Sequence, residues 1–227
     1  MRFQASCAAL AAAFVTLSAA GAASAQDVDI AFNAAVASDY VFRGFSQTDE
    51  DPAFQAGVDL TAGSFYSGAW ISNVDFGDDT TGEFDVYGGY RTEAGGFALD
   101  FGVVGYLYFD EPSGADYGYV EYKAAISRAF GPVTAGAVVF YSPDFFGADD
   151  EAVYTEANLA FSPADKWTVS GALGYQALDV NADYTTWNAG VSYALNDVYT
   201  LDVRYHDADV DGPLSDGRIV GTIKAFF

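Results

Sequence analysis

The chain has 227 residues, with 32 acidic side chains against 9 basic ones and a net charge of −23, so a polyanion such as nucleic acid would be repelled. Its one cysteine, Cys7, leaves the rest of the chain without a disulfide framework or a thiolate metal site. Beyond the N-terminus no stretch is apolar for the ~18 residues that a spanning helix needs.

Arg2 precedes an apolar stretch from Cys7 to Ala20, and Ala23-Ser24-Ala25 supplies an A-x-A cleavage site. The expected division is a signal peptide over 1–25 and one domain over 26–227. An exported chain without a spanning helix is either a soluble protein or a transmembrane barrel. Aromatic residues at 17% and only three lysines fit a soluble surface poorly.

From Ile30 onward the sequence alternates with period two in twelve runs, as half-buried strands do. In chain order one face carries Ile30/Phe32/Ala34/Val36, Phe54/Ala56/Val58/Leu60, Tyr66/Gly68/Trp70/Ser72/Val74 and Phe84/Val86/Gly88/Tyr90. It continues with Phe97/Leu99/Phe101/Val103, Val120/Tyr122/Ala124/Ile126, Val133/Ala135/Ala137/Val139/Tyr141 and Val153/Thr155/Ala157/Leu159/Phe161. The last four runs are Trp167/Val169/Gly171/Leu173/Tyr175, Trp187/Ala189/Val191/Tyr193, Tyr199/Leu201/Val203/Tyr205 and Ile219/Gly221/Ile223/Ala225/Phe227. No carboxylate, Lys, Arg or His falls on this face, as a bilayer demands, because Arg or Lys at the midplane costs about 2–4 kcal/mol. Tyr and Trp collect at the run ends, where amphipathic rings sit at headgroup level.

Connections alternate between short (Gly63-Ser64, Gly131-Pro132, Asn196-Asp197) and long (Gly44 to Pro52, Ser142 to Glu151, Asp207 to Gly217), the asymmetry of periplasmic turns and external loops. The reading is all-β: a 12-stranded antiparallel transmembrane β-barrel in a bacterial outer membrane, meeting lipid and lipopolysaccharide. The terminal Phe227 resembles the signal read by the outer-membrane assembly machinery.

With the register set, ten acids point inward: Asp29, Asp39, Asp59, Asp75, Glu83, Asp85, Asp100, Glu121, Glu156 and Asp202. Seven cations join them: Arg43, Arg91, Lys123, Arg128, Arg204, Arg218 and Lys224. The near balance predicts cross-strand ion pairing in the lumen, while most remaining acids crowd the external loops and make the mouth attract cations. Inward Phe65, Ile71, Tyr87, Tyr106, Tyr108, Tyr119, Phe140 and Tyr154 would narrow the passage. Twelve strands fall between filled eight-stranded barrels and open porins.

Three local readings follow. A hairpin about Gly77 to Gly82 would set Asp75 against Glu83 and Asn73 against Asp85, a like-charge contact that needs an offset. Asp39 and Arg43 share the inner face at the outer end of the first strand, where Arg43 could pair with Asp39, Asp59 or Asp75. His206, the only histidine, has Arg204 and Ala208 two positions away rather than the serine that barrel phospholipases place there, so no enzyme is expected. No cofactor is expected, and no metal ligand set is assigned.

The segments 38–48 (SDYVFRGFSQT), 52–59 (PAFQAGVD), 66–76 (YSGAWISNVDF) and 83–90 (EFDVYGGY) resemble the TorF family, a proteobacterial group of outer-membrane proteins regarded as porins. That resemblance implies an outer-membrane location and a channel activity, and supplies no substrate or catalytic residue. The expected function is a narrow diffusion channel for cations or small neutral solutes. The alternative is a non-conducting barrel that presents acidic loops. Pore-lining candidates are Asp39, Arg43, Asp59, Asp75, Glu83, Asp85, Arg91, Glu121, Lys123, Arg204 and Arg218.

Overall fold

Residues 28–147 and 150–227 are described by a computed structural model; the signal segment expected over 1–25 lies outside them. Period-two alternation becomes a wall of twelve strands. They are β1 (Val28–Ala37), β4 (Ala53–Ala62), β5 (Phe65–Asn73), β6 (Gly82–Ala94), β7 (Phe97–Phe109), β8 (Tyr119–Phe130), β9 (Val133–Ser142), β10 (Ala152–Ala164), β11 (Trp167–Leu178), β12 (Tyr184–Ala194), β13 (Tyr199–Ala208) and β14 (Arg218–Phe226). Two short strands, β2 (Val41–Phe42) and β3 (Phe45–Ser46), pair only with each other. Wall strands of 9 to 13 residues are long enough to cross a hydrocarbon core at a tilt.

Each wall strand is antiparallel to its neighbours, and β1 pairs with β14 to close the cylinder, from Asn33↔Phe226 to Ala37↔Thr222. Closure leaves no open sheet edge, the condition for strands in lipid. Phe32 and Phe227 continue the seam by exchanging backbone hydrogen bonds of 3.1 and 2.8 Å.

The outer surface is apolar: Ile219 is 72% exposed, Leu173 and Leu159 58%, and Val203 57%. In a water-soluble protein such exposure would be a liability; against lipid tails it is the stabilising contact. Leu173→Arg, near the middle of β11, is therefore expected to cost about 2–4 kcal/mol, measured as a shift in reversible denaturant unfolding from lipid vesicles. An unchanged midpoint would contradict a lipid-facing position.

Eleven of the twelve outward faces agree with the alternation, and β5 is inverted. Phe65 (61% exposed) and Ile71 (43%) face out, while Trp70 (5%) and Ser72 (2%) are buried in the lumen. The expected hairpin register is displaced with it: Glu83 is opposite Ser72 and Asp85 opposite Trp70, and Asn73 is opposite Gly82. Apolar residues occupy both faces of β5, so alternation alone leaves its orientation open. Packing decides it: Gly68 is directly opposite Tyr87, and a Cβ there would fall 2.5 Å from the Tyr87 ring. Gly174 likewise accommodates the Tyr154 ring. These tyrosines lie along the wall over glycine instead of filling the lumen.

Ion pairs brace the inner surface as the charge balance predicts, although Arg128, expected inward, lies on the outward face over the rings of Phe97 and Phe130. Asp100 on β7 accepts from Tyr66 on β5 (2.7 Å), Lys123 on β8 (3.0 Å) and Arg91 on β6 (3.2 Å), tying four successive strands. On the other side Arg204 bonds Asp202, Asn188 and Ser170 across β11 to β13.

Candidate functional site

The first long connection turns inward. β1 ends at Ala37, and residues 38–52 fold back into the barrel as a hairpin, so Asp39 and Arg43 are not on a wall strand as expected. Its turn is Phe42-Arg43-Gly44-Phe45, with Val41↔Ser46 and Phe42↔Phe45 paired and φ of +47° at Arg43 and +91° at Gly44. Two positive φ values in a two-residue loop define the turn whose twist suits a hairpin, and glycine is favoured at its second position. A Cβ on Gly44 would lie 2.8 Å from both Ala208 Cβ and Thr186 Oγ1, because the tip is pressed against β12 and β13.

From a root between β1 and β4, the hairpin reaches the far side of the lumen. Arg43 donates to both Glu121 carboxylate oxygens on β8 (2.8 and 2.7 Å) and to Gln176 Oε1 on β11 (3.0 Å). A bidentate fork of this kind is the strong form of the ion pair. The Tyr154, Phe42 and Phe140 rings lie 4.2, 4.7 and 5.2 Å from the guanidinium. Glu121 is 1% exposed and Gln176 fully buried, and Tyr106 also donates to Glu121 at 3.0 Å. The pairing with Glu121 replaces the expected one with Asp39, Asp59 or Asp75.

The root is pinned separately. Asp39 accepts from Ser46 Oγ (2.7 Å) and from Arg218 on β14 (3.0 Å). The Tyr40 N–H donates to Thr48 Oγ1, and the Ser46 N–H bonds Leu214 in the last external loop. The closing of β1 on β14 brings these two lumenal side chains together across 179 positions.

The hairpin divides the lumen unequally. Toward β5 to β8 it packs on Trp70, Tyr87, Tyr106 and Tyr108, with Tyr40 edge-on to Trp70 at 5.4 Å. Within this packed side Glu83 (2% exposed) and Asp85 (1%) point inward from β6. Toward β13, β14 and β1 there is a cavity of about 50 Å³, enough for a few waters. Its lining includes Asp39, Gln55, Asp202, Arg204, His206 and Lys224; His206 is opposite Arg218 in the ladder.

Of the remaining candidates, Asp59 on β4 accepts from Tyr87 (2.6 Å) and Asn33 (3.3 Å). Arg91 and Lys123 meet at Asp100 below the hairpin. Asp75, expected inside, is an exposed rim residue: its N–H donates to the Gln47 carbonyl, and its carboxylate accepts from Gly77. Tyr40, Trp70 and Gln176 belong to the site and were not anticipated. Among the described residues no three metal-ligating side chains converge.

The rim is held negative by local bonds. The Thr80 N–H and the Tyr117 hydroxyl, each at 2.8 Å, hold the Asp78 carboxyl below its usual range. The Tyr175 hydroxyl and the Leu178 N–H do the same for Asp183.

Solved outer-membrane channels share this architecture. The KdgM porin superposes with a TM-score of 0.60 at 8% identity, over 87% of this chain and 97% of its own. The NanC porin gives 0.57 at 11%, over 88% and 99%. An outer membrane channel from Pseudomonas putida F1 gives 0.53 at 10%, over 93% and 98%. At such identities the likeness is one of fold. No curated protein matches the sequence. Residues 19–225 match the sequence family described as "Bacterial protein of unknown function (Gcw_chp)".

Proposed function

The chain belongs to the Gcw_chp family, and we propose that it is an outer-membrane porin, a narrow diffusion channel for cations or small neutral solutes. The observation that carries this is the hairpin crossing a closed barrel, a constriction built from the chain's own first loop and fastened by Arg43 to Glu121 and Gln176. The fold shared with solved porins and the resemblance of residues 38–90 to TorF porins support the same reading.

Selectivity comes from the mouth rather than the lane. The cavity beside the hairpin mixes Asp39 and Asp202 with Arg204 and Lys224, so it offers no single sign to a solute. The external loops add carboxylates such as Asp78, Asp79, Glu111, Asp211 and Asp216, concentrating cations at the entrance with a strength that falls as salt rises. At the outer rim Tyr141, Tyr175 and Tyr205 donate to Glu151, Asp183 and Asp207. These held carboxylates support contact with lipopolysaccharide phosphates through divalent cations.

Single-channel recording in planar bilayers tests the proposal. Small steps with a reversal potential favouring cations in a salt gradient are expected, with the preference weakening at high salt. Anion preference would overturn the selectivity. Silence at every voltage would favour a second reading, a non-conducting barrel presenting acidic loops, for which the docked hairpin is the specific support.

A further inference from the structure

Glu83 and Asp85 are the carboxyl groups the channel reading leaves unexplained. They sit two apart on the inner face of β6, 2% and 1% exposed. Among the described residues neither has an ion-pair partner; Arg43, the nearby cation, is spent on Glu121. Glu83 accepts from Tyr40 of the hairpin at 3.2 Å. Both Asp85 oxygens are buried with no donor, and the Trp70 indole N–H directly across the ladder is also unbonded.

Apart from Arg43, which is paired with Glu121, every element around the pair adds neutral or negative groups. The hairpin contributes Tyr40 and Phe42, β5 contributes Trp70 and Ser72, and β7 places Tyr108 and Tyr106 opposite Glu83 and Asp85. From β8 come Tyr119 and Glu121, the latter already neutralised by Arg43. Two adjacent carboxylates stripped of water and counter-charge cannot both remain ionised. A metal ion would need more oxygen ligands than this packed site offers. A proton fits: protonated, Asp85 becomes a donor, and the neighbouring Glu83 carboxylate is an acceptor within reach.

We infer that Glu83 and Asp85 share one proton while the hairpin is docked, so that the hairpin is a proton-linked plug that withdraws as pH rises. Undocking removes Tyr40 and Phe42 and lets water reach both carboxyls, which then ionise as ordinary ones do. The docked state therefore binds more protons than the undocked state. Because the docked state holds the extra proton, its advantage is present at low pH and is lost as pH rises. The consequence for conduction rests on the porin reading; the proton does not.

Hydrogen exchange of segment 38–52, read by mass spectrometry on the refolded barrel in lipid vesicles and corrected for intrinsic rate at each pH, tests it without requiring current. Protection in the wild type should fall as pH rises, by up to about tenfold per pH unit for one released proton. The double variant Glu83→Gln/Asp85→Asn removes both ionisable groups and should hold protection flat. Should it fail to refold, either single variant, which keeps one buried carboxyl, should show a shallower or shifted pH dependence than the wild type. A flat wild-type profile, or a variant that follows the wild type, overturns the proposal. A pH-dependent profile with bilayers silent at every pH supports the proton link and removes the channel reading.

Discussion

Glu121→Ala is expected to drive the hairpin out of the lumen. The substitution leaves the Arg43 guanidinium buried at 5% exposure with Gln176 and the aromatic rings as its remaining company. A guanidinium cannot shed its proton to escape this, so breaking the pair by removing the acid costs about 3–5 kcal/mol. That shifts the balance between docked and undocked hairpin by roughly two to four orders of magnitude. Hydrogen exchange of 38–52 should lose its protection while the wall strands keep theirs, and single-channel steps should be larger or longer-lived than in the wild type. Unchanged protection and unchanged steps would mean that the Arg43–Glu121 pair does not hold the hairpin.

Arg43→Ala should act in the same direction and less strongly. The acid left behind can neutralise itself by taking a proton, and it retains the Tyr106 hydroxyl, so the asymmetry between the two variants follows from their chemistry. Loss of the charged hydrogen bonds is worth about 1.5–3 kcal/mol, and conductance should rise because the group that reaches the far wall is gone. Arg43→Lys keeps the charge but cannot grip both carboxylate oxygens and Gln176 together, so it should fall between Ala and wild type. A trace identical to wild type in the alanine variant would reject Arg43 as part of the constriction.

Much of this molecule is legible in its sequence, and the illegible parts share a cause. Period-two alternation locates the wall because lipid demands an unbroken apolar face, and Leu159 or Val203 can face only one way. β5 defeats the same rule: Phe65 and Ile71 on one face compete with Trp70 and Val74 on the other, and the choice depends on Gly68 meeting Tyr87 across the ladder. The hairpin is hidden because 38–42 continues the alternation of β1. Its signal is the pair Arg43-Gly44 between two phenylalanines, a turn sequence inside an apparent strand. Inward charges such as Asp100 and Lys123 are foreseeable from register. Partners such as Gln176 are not, since a neutral side chain 133 positions from Arg43 carries no charge to draw notice.

The hairpin's route also orders the protein's maturation. β1 and β4 can zip together early, since they are neighbours along the chain with ten paired positions. Arg43, however, finds Glu121 and Gln176 only when β8 and β11 have been brought around a common interior, and Asp39 finds Arg218 only at the final seam. Until then the arginine is solvated at no penalty. Full docking of the hairpin consequently requires the sealed wall, and a wall halted before sealing is expected to display segment 38–52 to water, where a protease added from outside would cut it.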